Sequence, residues 1–131
     1  MAIQEGGSTI SMTFGAAIVE AAFVQIDATT GLGEVSAAGG DIAVGITLES
    51  ISAAELAAGK TTVAIQTIAG GGRARIQLAE IVTIGDALTS DVAGLAVLAD
   101  TAGDITLGYA DEAGAVGDYI TMTVALSAVA T

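Results

Sequence analysis

The chain predicts a small all-β domain, a β-sandwich or barrel-like fold built from two pseudo-repeated halves. One short connecting helix, at about 52–58, and an N-terminal arm complete the picture. Three observations carry this. Apolar and polar residues alternate with a period of two over several stretches, glycine-rich turn signals recur at short intervals, and one pattern occurs twice at a constant offset of 63 residues. Strict alternation marks a half-buried strand, and short strands with regular turns mark a sandwich or barrel.

Taken in order, residues 1–20 hold Ile3, Ile10, Met12 and Phe14 between bendable glycines. They predict either an arm that adds a strand to a neighbouring subunit through backbone hydrogen bonds or the first strand of the domain. On the arm reading, removing residues 1–14 leaves the fold intact and abolishes binding. Residues 21–131 form one β domain, with repeats at about 21–75 and 84–126. Alternation is clear in Ile42-Ala-Val44-Gly-Ile46-Thr-Leu48, in Thr61-Thr-Val63-Ala-Ile65-Gln-Thr67, in Arg73-Ala-Arg75-Ile-Gln-Leu78 and in residues 119–126. Val, Ile and Thr suit such pleated surfaces. Between them, Ser52-Ala-Ala-Glu55 has capping-box spacing before an Ala-rich stretch that ends at Gly59, which predicts about two turns of helix. Gly70-Gly71-Gly72 reads as a hairpin loop, and Asp beside Gly at 85–86, 103–104 and 117–118 reads as turn chemistry. The repeat matches residues 31–45 to residues 94–108, after which the second copy skips most of the helical connector. Two copies are too few for a solenoid; chance convergence of Gly- and Ala-rich sequence is the alternative.

Composition removes most chemistries. Ala (28) and Gly (18) make up 46 of 131 residues, and His, Cys, Pro, Trp and Asn are absent. Without His there is no imidazole base, triad of the usual kind or imidazole metal ligand; without Cys there is no thiol nucleophile or disulfide. At 53% hydrophobic the chain is too apolar to be disordered. A membrane-spanning helix needs about 20 apolar residues, and the longest charge-free stretches, 6–19 and 119–131, fall short. The start lacks a basic segment, so a secretory signal is not expected.

A net charge of −12 repels nucleic acid. The three cations, Lys60, Arg73 and Arg75, all lie in residues 60–75, which contain no acid. They either pair with carboxylates of the same molecule or contact an acidic neighbour, for which Arg is well suited. Ala58-Gly59-Lys60-Thr61 ends like a phosphate-binding loop, but Ala54 stands where that motif needs Gly, and the helix precedes where it should follow. The adjacent pair Asp111-Glu112 makes a poor acid–base dyad unless it lies in a turn. Neither a catalytic constellation nor a cofactor or metal site is expected, so the chain reads as a non-enzyme.

Three segments carry a resemblance. They are Ile84-Gly85-Asp86-Ala87-Leu88-Thr89-Ser90-Asp91-Val92-Ala93-Gly94, then Gly103-Asp104-Ile105-Thr106-Leu107-Gly108-Tyr109-Ala110-Asp111-Glu112-Ala113, and Gly117-Asp118-Tyr119-Ile120-Thr121-Met122. Over residues 20–126 the chain resembles the capsid decoration (cement) proteins of tailed bacteriophages, and Gly40-Asp41-Ile42 to Glu49 is a looser copy. The resemblance implies a virion protein, made in the host cytoplasm and placed on the capsid exterior. It would bind the major capsid protein as a homotrimer and cement neighbouring subunits against internal DNA pressure, without a cofactor. Lys60, Arg73, Arg75, Ile3, Ile10, Met12 and Phe14 are the candidate capsid or inter-subunit contacts. The alternative is a β-domain of a phage fibre or surface assembly with an adhesive or carbohydrate-binding role, although few aromatics are present for sugar stacking.

Overall fold

A computed structural model describes residues 8–36 and 43–128. Ile3 and the Gly40-Asp41-Ile42 start of the looser copy lie outside the described residues. The strands are β1 (Thr9–Thr13), β2 (Phe23–Ile26), β3 (Gly33–Val35), β4 (Gly45–Thr47), β5 (Thr62–Thr67), β6 (Arg73–Gln77), β7 (Ala87–Ser90), β8 (Ala96–Leu98), β9 (Ile105–Ala110) and β10 (Tyr119–Ala128). Among the described residues there is one helix, α1 (Ala53–Ala57), which precedes β5. The strands form two five-stranded sheets, ordered β1-β5-β4-β2-β3 and β6-β10-β9-β7-β8. Every ladder is antiparallel. The architecture is a small β-sandwich.

Advancing each label of the first sheet by five reproduces the second. The repeat extends to register: Val24 faces Gly45 and Val35, and Leu88 faces Gly108 and Leu98. It extends to single bridges too, with Phe14 to Gly33 matched by Leu78 to Ala96, and Ile18 to Ile51 matched by Val82 to Gly114. These matches draw the boundary between halves after β5 and before β6. Residues 9–14 therefore belong to the first half and β6 to the second, so the repeats start earlier than 21 and 84. The loop at Gly70-Gly71-Gly72 is not a hairpin. It crosses between the sheets, because β5 already has β1 on one side and β4 on the other.

Alternation explains the cores. Val63 and Ile65 on β5 are fully buried, in a cluster with Met12, Phe14, Ile18, Val24 and Ile51 that lies within the first half. The second cluster holds the equivalent residues of the second half, among them Ile76, Leu78, Leu88, Ile120 and Met122. It also takes in Phe23, Ala43, Ile46 and Ile68 from the first half. Phe23 and Ile46 point away from their own half's core, and the second half covers them.

Residues 9–14 act as a strand of their own domain. β1 pairs with β5 over Thr9–Thr13, and Met12 (8% exposed) and Phe14 (2%) are core residues. Neither side chain is free to touch another chain. The expected result of removing residues 1–14 is reversed accordingly. The truncation deletes an edge strand and two core side chains, each worth roughly 1.5–3 kcal/mol of burial. It should leave the first half unfolded, read as a loss of far-ultraviolet β signal and of a cooperative urea transition.

The helix forms as its spacing predicts. Ser52 Oγ accepts from Glu55 N–H at 3.1 Å, and Glu55 Oε1 accepts from Ser52 N–H at 3.0 Å, a reciprocal cap. That backbone hydrogen bond, aided by nearby Lys60, holds the Glu55 carboxyl below its ordinary pKa. The turns are equally local. Thr83, Thr101 and Ala115 N–H donate to the carboxylates of Asp86, Asp104 and Asp118 at 2.8, 3.2 and 2.9 Å. Each of these Asp N–H groups donates back to the same residue's carbonyl. The intervening Gly85, Gly103 and Gly117 take φ near +90°, which glycine tolerates without steric cost. So these three Gly-Asp pairs serve as turn chemistry.

Candidate protein-interaction face

The outer face of the second sheet gathers both arginines and both tyrosines of the chain. On β6, Ala74 and Ile76 face inward, so Arg73 and Arg75 face out. On β10, Ile120 and Met122 are buried, and Tyr119, Thr121 and Thr123 take the opposite side. The ladders set Arg75 beside Thr121, and Arg73 beside Thr123, which in turn faces Tyr109 of β9. Tyr109 and Tyr119 are 38% and 41% exposed, and the side chains of Arg73 and Arg75 are 57% and 59% exposed.

Each arginine is oriented from within the molecule. The Arg75 guanidinium carbon sits 4.1 Å from the centroid of the Tyr119 ring, and its Nη1 is 3.8 Å from Glu20 Oε2. Arg73 Nε is 3.6 Å from Asp111 Oδ2, while Asp111 Oδ1 accepts from the Thr123 hydroxyl at 2.8 Å. The Arg75–Glu20 pair, long and exposed on both sides, contributes at most about 1 kcal/mol, whereas Asp111 is 27% exposed and its Oδ2 is buried without a hydrogen-bond partner. At these distances neither ion pair is a hydrogen bond, so both guanidinium groups keep donors for an incoming acceptor. Arginine and tyrosine are the residue types that dominate binding energy when such a face is covered.

Lys60 stands apart. Its Nζ donates to the Ser50 carbonyl at 3.3 Å and lies 3.6 Å from Glu55 and 4.0 Å from Glu49. The cationic window therefore contributes two arginines to one face and places its lysine beside the helix, with no acidic partner in common. Ile10 is half exposed, at 48%, on β1. Parity gives only the side that Tyr119 takes, an even number of residues from Thr121 and Thr123 and away from Ile120 and Met122; that it and Tyr109 share a face with the arginines follows from the strand pairing.

Other sequence candidates resolve into structure. Asp111 and Glu112 lie in a turn, and each binds a different point of β10: Asp111 the Thr123 hydroxyl, Glu112 the Thr121 N–H at 3.2 Å. They do not converge as a dyad. Among the described residues, no three acidic side chains cluster so as to hold a metal ion, and no helix is long and apolar enough to cross a membrane.

Fold and face together define a small repeat-built β-sandwich whose most distinctive chemistry lies on an open sheet surface. No protein-family model and no curated protein matches the chain. Among solved structures, it is similar to the head fiber gp8.5 N base of bacteriophage phi29, with a TM-score of 0.69 and 16% identity, over 95% of this chain and 99% of that one. At that identity the likeness establishes a shared fold.

Proposed function

We propose that this chain is a structural protein of a phage virion, docking on the exterior of the assembled head and cementing neighbouring major capsid proteins. It acts by burying surface, without catalysis or cofactor, and stabilises the shell by binding the intact form. The observation that supports this most is the end-to-end fold likeness to a phage head-fibre base. The Arg73/Arg75 face, with Lys60 and Ile10 as secondary candidates, makes the contact with the shell or with a neighbouring protomer of a homotrimer. The same likeness favours a second reading, in which the chain is the head-bound base of a fibre.

Co-sedimentation with assembled shells tests the proposal. The wild type should pellet with shells, less so as salt rises. Arg73→Ala/Arg75→Ala should weaken binding by about tenfold or more. If neither the salt nor the substitutions alter binding, the electrostatic contact is wrong. Shells carrying the protein should also rupture at higher temperature; bound protein with an unchanged rupture temperature selects the fibre-base reading.

A further inference from the structure

The two halves meet head to tail. Phe23 N–H of the first half donates to the carbonyl of Gly94, in the turn between β7 and β8, at 2.9 Å. Ser90 Oγ, at the end of β7, lies 3.4 Å from the Ser36 carbonyl oxygen of the first half. A Cβ on Gly94 would lie 2.9 Å from Val35 Cγ1 and 3.0 Å from the Phe23 carbonyl oxygen. A twofold relation between the halves would demand the reciprocal contact, Ala87 against Gly31. Among the described residues that contact is absent, since a Cβ on Gly31 would meet nothing within 4 Å. The interface is therefore heterologous: the front of one half covers the tail of the other.

Each half consequently leaves one surface unmatched. The front of the first half is the row Phe23, Ile46 and Gln66, paired across its sheet and 0%, 0% and 8% exposed. The same row on the second half is Ala87, Tyr109 and Thr123, with Tyr109 38% exposed. The tail of the second half includes Ser90 and Ala74, which are 1% and 5% exposed. Their equivalents on the first half are Ile26 and Ile10, 52% and 48% exposed. Ile10 and Ile26 line an apolar groove of about 330 Å³ with Val44 and Thr67 of the same half, closed on one side by Leu126 of β10 in the second half and open to solvent at Ile10 and Ile26.

We propose that copies of this chain associate head to tail, the Tyr109 front of one copy seating on the Ile10–Ile26 groove of the next. The contact repeats between molecules the one that joins the halves within a molecule. The occupant is a second copy because the free front and the free tail share the backbone of the two surfaces already joined. At the Phe23/Ala87 position the side-chain sizes are also exchanged in a complementary way, while the next position of the front is large in both halves, Ile46 and Tyr109. Inside the chain, large Phe23 belongs to the front and small Ser90 and Ala74 to the tail. Between chains, small Ala87 belongs to the front and large Ile26 and Ile10 to the tail. Heterologous contacts of this kind build closed rings where the rotation permits. The inference stands on the repeat, and it makes the second sheet's outer face a self-association surface.

Sedimentation velocity on the full chain tests it. The wild type should form an assembled species that grows with concentration. Tyr109→Lys breaks the front and Ile26→Glu breaks the tail, so each variant alone should be monomeric with an unchanged far-ultraviolet spectrum. Their equimolar mixture should form a one-contact heterodimer and nothing larger, because each variant keeps the surface the other has lost. A wild type that stays monomeric at every concentration overturns the proposal. So does a variant that assembles like the wild type, or a mixture that stays monomeric. A monomeric chain that still pellets with shells would overturn this inference and leave the virion reading standing.

Discussion

Gly108→Val is expected to abolish folding of the second half, and Gly108→Ala to cost about 3 kcal/mol, the upper end for overpacking a filled core. A Cβ at this position would lie 2.5 Å from Met122 Sδ, 2.6 Å from Met122 Cγ and 2.6 Å from the Thr123 carbonyl oxygen. The sulfur can turn aside. The carbonyl belongs to the β9–β10 ladder and cannot, so relief requires separating the two strands. The repeat supplies a second copy of the experiment. Gly45 is the equivalent position, and its Cβ would meet Ile65 Cδ1 at 2.6 Å and the Gln66 carbonyl oxygen at 2.7 Å. Gly45→Ala should show a loss of similar size. Gly117→Ala is the contrast: φ there is +90° but nothing lies within 4 Å of a Cβ, so only the backbone preference is lost, about 1–2 kcal/mol. Urea midpoints at unchanged slope give all of these values. A Gly108→Ala midpoint equal to that of Gly117→Ala would mean that the close crossing in β9–β10 is not a constraint on the fold.

These glycines also show what the sequence could and could not disclose. β5, β6 and β10 are long enough for alternation to show, and the Ser52–Glu55 cap and the Gly-Asp turns depend on contacts within a few residues. Those features were legible. β3 and β8 have three residues each, too few for any period to register, and β4, equally short, showed only within the longer alternation of residues 42–48. Ile10, Met12 and Phe14 read equally as an arm or a strand, because the deciding fact is the ladder with β5, about 50 residues downstream in the chain. Gln66 misleads for a related reason. By alternation it should be solvated, yet it is 8% exposed because the second half covers the outer row of the first sheet. Its amide is still satisfied, donating to the Gly71 carbonyl at 3.2 Å. The interaction face was half legible: charge counting found Arg73 and Arg75, while Tyr109 and Tyr119 needed the strand pairing that sets them beside the arginines.

Phe23→Ala should cost about 3–5 kcal/mol, the range for truncating a buried aromatic, and should separate the unfolding of the two halves. Phe23 is fully buried, not in its own half's core but in the cluster that contains Leu88, Ile120 and Met122 of the second half. The first half keeps its own cluster of Met12, Phe14, Val24, Val63 and Ile65 without it. The cavity therefore opens in the joint and in the second half's core. The chain has no Trp, and both of its tyrosines lie in the second half. Tyrosine fluorescence thus reports one half, while far-ultraviolet circular dichroism reports both. In the wild type the two probes should give one urea midpoint, the mark of a cooperative unit. In Phe23→Ala the tyrosine midpoint should fall below the circular dichroism midpoint. If both midpoints fall together, the halves are held as one unit by the remaining contacts, Ile46 and Ile68 among them. If neither falls by more than about 1 kcal/mol, a typical effect for any single substitution, Phe23 is not the side chain that joins the halves.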